Sequence, residues 1–487
     1  MNEDSLGLVG LEVPPDEFVF NGVDADTGSY LFPKTPLDRL VRAVKGEQPD
    51  PAHLAELDAR MRADTEDHLA VVFGRRPERL SEVGWALVAA DDVGPEILEA
   101  LAPLRDRRRG QAQDLYRELA GPTAGVHMGE SSQDFLIRHN VDPNDVADPR
   151  QLPYYVLLVG SPERLSFPFQ YQLGVQRAVG RLHFDTPAQY ARYAENVAAT
   201  EAPRAPGPGS QRVHVFAARN PGDLATALSA SRLAYPLAQD LAATAAVTSD
   251  IGETATKQRL SEILSGDQRL GLLFTATHGL GRAGPAQRET QGALLCQEWQ
   301  GPLHGPLTGA EYLGGGDLDS GHPVSATVVF SFGCYSAGTP QTTDFVDTPT
   351  PAASADPPFI ARLAQRLLTH PRGGCIAFVG HVDRVWNCSF LWKGVKPRIL
   401  PFTSTIEALL AGAPLGMAME YVSARYATTA TELTSLLHQM RTVGRVAEDR
   451  VLANLWLAAN DARNFVVIGD PAIRLSSQGQ GPSAGRS

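Results

Sequence analysis

Val328-Val329-Phe330-Ser331-Phe332-Gly333-Cys334-Tyr335-Ser336-Ala337-Gly338 is an apolar run that stops at a glycine and delivers a thiol into the first residues of a loop. Leu272-Leu273-Phe274-Thr275-Ala276-Thr277-His278-Gly279 has the same build, with an imidazole in place of the thiol. Short apolar runs rich in β-branched and aromatic residues, closed by glycine, read as buried strands. Two parallel strands of this kind would each end in one half of a cysteine–histidine pair at one edge of a sheet, the arrangement of a thiol hydrolase.

Working outward, further apolar segments occur at 212–217, 374–379 and 465–468, with helix-like stretches between them. Near-continuous apolar strands alternating with helices predict a parallel sheet covered on both faces, whose sites lie at the carboxyl ends of strands. An earlier unit repeats the pattern. Trp85 to Ala90 leads through Gly94-Pro95 into an amphipathic helix over 96–107, and Tyr154 to Gly160 forms another strand. Between the units, Glu201-Ala202-Pro203-Arg204-Ala205-Pro206-Gly207-Pro208-Gly209-Ser210 is too rich in proline and glycine for regular structure.

The chain therefore divides into an N-terminal accessory segment (1–68, with a helix near 53–62), an α/β subdomain (69–202), a linker (203–210), a second α/β subdomain carrying the thiol (211–475) and a disordered tail (476–487). Residues 341–358 hold four prolines and little to bury, which predicts an exposed loop. It starts close behind the thiol, so it serves as gate, cleft lining, activation cut site or plain surface insertion.

At 487 residues, 43% hydrophobic and 20% charged, the chain can bury a large core. Its formal charge of -12 argues against a broad basic surface for nucleic acid or anionic lipid. The start, Met1-Asn2-Glu3-Asp4-Ser5, lacks the basic-then-apolar order of a secretory signal, and no apolar run reaches bilayer length. A cytoplasmic protein with no membrane partner is expected. Four scattered cysteines, Cys296, Cys334, Cys375 and Cys388, do not make a disulfide framework.

A thiolate beside an imidazole attacks carbonyl carbon readily, whereas a neutral thiol does not. At a strand end after Gly333, the Cys334 sulfur is expected to be accessible and its own amide free to donate. Gly279 supplies a second amide directly after His278, so the two amides would hold an oxyanion while the imidazole moves the proton. The competing reading makes Cys334 a small buried hydrophobe, as fits Cys375. His381 is a rival base, read as structural or as bordering the cleft. Gly279-Leu280-Gly281-Arg282-Ala283-Gly284 matches the dinucleotide fingerprint but lacks its helix, Ser336-Ala337-Gly338 lacks the first glycine of a serine elbow, and no zinc motif occurs, so no cofactor and no metal are assigned. The arginines of 105–109 read as a solvated helix-end cap or a phosphate contact.

A His-Gly at one strand end and a Cys after the next apolar strand resemble the caspase-like cysteine peptidases. Tyr155-Val156-Leu157-Leu158-Val159-Gly160-Ser161-Pro162, Ala178-Val179-Gly180-Arg181-Leu182 and the terminal Val467-Ile468-Gly469-Asp470-Pro471-Ala472-Ile473-Arg474-Leu475 are closest to the gingipain and CHAT branch. The resemblance implies two consecutive caspase-like α/β/α sandwich subdomains with mostly parallel sheets, the first non-catalytic. It also implies Cys334 as nucleophile, His278 as general base, and the amides of Gly279 and Cys334 as oxyanion site. Part of the first specificity pocket would come from the loop holding Arg219 and Asp223, with Asp344 and Asp347 facing it from the loop after the thiol. Arg219 would attract an acidic side chain, the aspartates a basic one, so charge leaves the preference open. The expected partners are a protein substrate and an activating or regulatory protein, in a regulated intracellular pathway such as bacterial defence or cell death. A catalytically silent adaptor with the same fold is the alternative.

Overall fold

A computed structural model describes residues 17–18, 21–31, 35–37, 41, 72, 74–143, 146–202, 212–318, 321–344, 354–391, 397–443 and 448–475. The strands, in chain order, are β1 (Glu17–Phe18), β2 (Gly22–Asp24), β3 (Thr35–Pro36), β4 (Trp85–Ala89), β5 (Tyr116–Leu119), β6 (Tyr155–Val159), β7 (Ala178–Leu182), β8 (Arg212–Ala217) and β9 (Ala246–Ile251). They continue as β10 (Leu270–Ala276), β11 (Gly279–Gly281), β12 (Leu294–Leu295), β13 (Tyr312–Leu313), β14 (Ala326–Phe332), β15 (Gly338–Thr339), β16 (Phe359–Ile360), β17 (Ala377–His381) and β18 (Phe465–Gly469).

Ten of them form one sheet in the order β5-β4-β6-β7-β18-β17-β14-β10-β8-β9, with helices packed on it. Every residue of β4, β6, β10, β14, β17 and β18 is buried, as an apolar run without alternation requires of a sheet covered on both faces. All neighbouring strands run parallel except one pair, β17 and β18. The fold is thus α/β with a large, mostly parallel sheet, and the sheet passes without a break from the first half of the chain into the second.

The exception changes the expected geometry. The apolar run 465–468 predicts one more parallel strand of the second unit; instead β18 pairs antiparallel with β17 and parallel with β7. The helix Asp449–Arg463 ends at Asn464, whose carbonyl accepts from the amide of Val382, just past the end of β17. The strand therefore begins where β17 stops and has to run back. Its far end reaches β7 closely: a Cβ on Gly180 would stand 2.1 Å from the Gly469 carbonyl oxygen. As a result the carboxyl ends of β8, β10, β14 and β17 share one edge of the sheet, and those of β4 to β7 lie on the opposite edge.

Two further expectations are corrected. The helix over 96–107 is broken into Pro95–Ala100 and Ala102–Ala112 around Leu101, where Pro103 starts the second piece. Of the arginines at its end, Arg109 is exposed and the other three are turned to partners inside the fold. Arg108 is fully buried between Asp470 (2.6 Å) and Glu201 (2.8 Å), while Arg105 pairs with Glu118 and Arg107 with Glu201. Glu201, the first residue of the proline-rich stretch, is thus an internal anchor. The predicted helix near 53–62, the linker core 203–210 and the tail 476–487 lie outside the described residues.

A second, four-stranded sheet, β13-β12-β11-β2, sits beside the site edge. Its outer strand comes from the N-terminal segment, paired in parallel as Gly22 to Gly279, Val23 to Leu280 and Asp24 to Gly281. Val23 packs with Ala25, Leu280, Ala293, Leu295 and Trp299 in a small apolar cluster of its own.

Candidate active site

β10 and β14 lie side by side with Ala276 opposite Phe332, and the amide of Thr277 continues the ladder to the Phe332 carbonyl (3.1 Å). His278 and Cys334 therefore each stand two residues beyond the last rung, at the carboxyl edge where the sequence places them. The two backbones touch there: a Cβ on Gly279 would lie 1.7 Å from the Cys334 carbonyl oxygen and 2.8 Å from its nitrogen. Only glycine fits after the histidine. The glycines of the dinucleotide-like fingerprint thus belong to β11 and its close approach, and no helix of the fingerprint's kind follows.

That approach brings two amides onto one point. The N–H groups of Gly279 and Cys334 both donate to a single oxygen, the carbonyl of Asn21, at 3.1 and 3.2 Å. The Asn21 amide in turn donates to the Val385 carbonyl (3.1 Å). Its side-chain nitrogen points at the Thr277 carbonyl (3.3 Å) and the Ser229 hydroxyl (3.5 Å).

His278 is buried and held on one side by Asp223, with Nε2 2.8 Å from the carboxylate Oδ2. Asp223 is itself fixed as the cap of the helix Leu224–Ser229, accepting from the amides of Ala225 and Thr226 and from the Thr226 hydroxyl. Its other oxygen accepts from the Tyr30 hydroxyl (2.8 Å). Burial alone would raise the Asp223 carboxyl, but His278, Thr226 and Tyr30 outweigh it and hold it down at about 2. Burial and the adjacent carboxylate push the Tyr30 phenol up, so that hydroxyl keeps its proton. A carboxylate facing Nε2 assigns the proton of the neutral ring to that nitrogen and the lone pair to Nδ1. Nδ1 is buried with no hydrogen-bond partner among the described residues. Trp299 stands edge-on to the ring at 5.4 Å.

Cys334 departs from the expectation of an accessible sulfur and a free amide. Its side chain is fully buried, its amide is engaged by Asn21, and Sγ accepts from the Val385 amide at 3.2 Å. Burial pushes the thiol above its ordinary value. The sulfur packs in the main hydrophobic core beside Val385, while Asn21, in a stretch expected to belong to an accessory cap, takes the Cys334 amide and leads into the strand paired with Gly279–Gly281.

The proposed specificity residues scatter. Asp223 faces His278. Arg219 is tied by its backbone to both ends of the Gln297 amide. Asp344 forms an ion pair with Arg463 (2.5 Å), and Asp347 lies outside the described residues. The rival base His381 is buried with Nε2 2.9 Å from the Asp461 carbonyl oxygen, and Ser336 accepts from the His381 amide, so both hold backbone. Cys296, Cys375 and Cys388 are buried free thiols. Among the described residues no group of three or more His, Cys, Asp or Glu side chains is placed to hold a metal ion, and no helix is long and apolar enough to cross a membrane.

Asp223 as partner of His278, and Asn21, Tyr30 and Val385 around the amides and the sulfur, were not legible as such. The aspartate two residues after Pro221 and just before an alanine-rich helix is a capping signal that could have fixed its position, though not its partner. Val385 acts through backbone groups, as Asn21 does at the two amides, and every residue has those groups.

No family model and no curated protein matches the chain. Among solved structures it is similar to the complex of the pro- and mature domains of RgpB of Porphyromonas gingivalis, at 13% identity and a TM-score of 0.47 over 80% of this chain and 79% of that one. A second is the Arg-specific cysteine proteinase gingipain R, at 13% identity, TM-score 0.44, 80% and 77% coverage. A third is described as a protease, at 12% identity, TM-score 0.46, 80% and 78% coverage. The likeness is coarse and concerns the chain trace alone.

Proposed function

We propose that this chain is a cysteine-type endopeptidase with Cys334 as nucleophile, His278 as proton carrier and Asp223 as the residue that orients the imidazole. The observation that carries this reading is the convergence of the Gly279 and Cys334 amides on one carbonyl oxygen, directly beside the thiol-bearing residue. Two backbone donors aimed at one point stabilise the oxygen of a tetrahedral intermediate, and being fixed by the sheet they need no reorganisation when charge develops. With Nε2 held by Asp223, Nδ1 is the nitrogen left to take the thiol proton. Sulfur then bonds to the substrate carbonyl carbon, its oxygen sits between the amides, and the imidazolium returns the proton to the departing amine. Water releases the acyl group by the same exchange in reverse. The substrate class is an extended peptide.

A protein that cuts peptides in this way loses activity on a diverse peptide library in both Cys334→Ala and His278→Ala, each by at least about 10³-fold. Activity surviving both changes overturns the assignment. The buried, neutral thiol favours one other reading, a silent adaptor that keeps the fold and uses the cleft for binding; it requires that no variant of the chain with an emptied cleft reacts with a peptide acyloxymethyl ketone.

A further inference from the structure

We infer that the chain's own segment Asn21–Asp24 occupies the cleft as a substrate does, with Asn21 in the primary specificity pocket, so that the resting protein is self-blocked and its substrates carry a carboxamide side chain at the cleavage position. This rests on the peptidase reading above and names its regulation and substrate class.

Three backbone observations support the register. The Asn21 carbonyl takes both amides of the oxyanion site, where the carbonyl to be attacked would lie. Its own N–H is held by Val385, the residue whose amide also donates to the Cys334 sulfur, so the peptide unit is anchored on both sides of the carbon that the thiol would reach. Beyond it, Gly22–Asp24 zips in parallel onto Gly279–Gly281, an extended strand added to a sheet edge as peptide ligands are.

The side chain specifies the class. Asn21 is buried, and its Nδ2 donates toward the Thr277 carbonyl and the Ser229 hydroxyl. A carbonyl oxygen fixed by the backbone accepts only, so an amide is favoured there and an isosteric carboxylate would face it without a proton to share.

The block is tied down away from the amides as well. Asp24 Oδ1 accepts from the amides of Asp26 and Thr27, closing a tight turn. The indole N–H of Trp299 donates to the Gly28 carbonyl, Arg282 pairs with Asp26, and the Tyr30 hydroxyl reaches the carboxylate that positions His278. Displacing the segment would thus free the two amides, uncover Cys334 and remove a competing donor from Asp223 in one motion.

The test uses the full chain, Val23→Asp, which places a charge in the apolar cluster holding the strand, and Asn21→Asp, which keeps the shape and removes the donor. Hydrogen exchange at the Gly279 and Cys334 amides is read beside labelling of Cys334 by peptide acyloxymethyl ketones ending in Asn, Asp or Arg. In the full chain both amides should be protected and labelling slow. In either variant protection should fall and labelling by the asparaginyl probe rise at least tenfold, with that probe at least tenfold faster than the other two. Unprotected amides in the full chain, equal labelling of full chain and variants, or faster labelling by the Asp or Arg probe overturns the inference. Protection lost in the variants with no labelling by any probe would support the occupancy and sink the thiol chemistry instead.

Discussion

At the residue scale the orientation of His278 rests on Asp223. Its carboxylate accepts from five fixed donors: two amides and a hydroxyl of its own helix start, the Tyr30 hydroxyl and His278. Asp223→Asn keeps the shape and leaves Oδ1 to cap the helix through the Ala225 amide, at the loss of the Thr226 bonds to Oδ2. It removes the negative charge and presents an N–H to a ring nitrogen that must itself carry a proton. The imidazole is then driven to the other tautomer, with its proton on Nδ1 where a base is needed. In a chain freed of its N-terminal block, kcat should fall by about 10²- to 10⁴-fold while the thermal midpoint moves by only a few degrees. Loss of folding in step with activity would show instead that the aspartate is only a helix cap.

At the scale of elements, the internal clasp of Arg108 with Asp470 and Glu201 joins a helix of the first half to the turn after β18 and to the end of the helix Pro187–Thr200. Asp470 also accepts from the Trp85 indole and the Ala472 amide. Removing one partner leaves a buried guanidinium short of its counter-charge, so Asp470→Ala should cost about 3–5 kcal/mol in chemical denaturation. Burial would raise the Glu201 carboxyl, but Arg108 and Arg107 outweigh it and hold it below the ordinary carboxylate value. A folded-state value below the unfolded one gives stability that is present above the unfolded value and lost as pH falls through the folded one. Glu201→Gln should therefore flatten the loss of stability on acidification; an unchanged pH profile would mean the pair carries no such term. The elements themselves were legible, because buried parallel strands announce themselves as unbroken apolar runs closed by glycine. So were the strand ends carrying His278 and Cys334. The inward arginine was not: at 105–109 the sequence shows four similar residues, and which one faces the sheet depends on a helix start displaced by Pro103. Nor was the strand through the cleft, since the bonds of Asn21 to Gly279, Cys334 and Val385 use its carbonyl and amide, groups no residue type advertises.

At the scale of the whole molecule, the strand order joins the two halves in one sheet. β18 is last in the chain yet lies in the middle of the sheet, with β7 on one side and β17 on the other. Everything synthesised before it leaves two unpaired ladder edges facing each other, and such edges recruit other chains. Pairing across so long a sequence separation also closes late, because the loop entropy must be overcome before the contacts form. Cutting the chain after Asn464 should therefore cost more than the strand itself: it removes the bridge between the halves, the Asp470 clasp and the Tyr193 contact with the Asp470 amide. The truncated chain should aggregate or run as an expanded species on size exclusion, with no cooperative melting transition. If it melts in two separate steps at native size, the halves fold as independent units and the continuous sheet is a docking of finished domains.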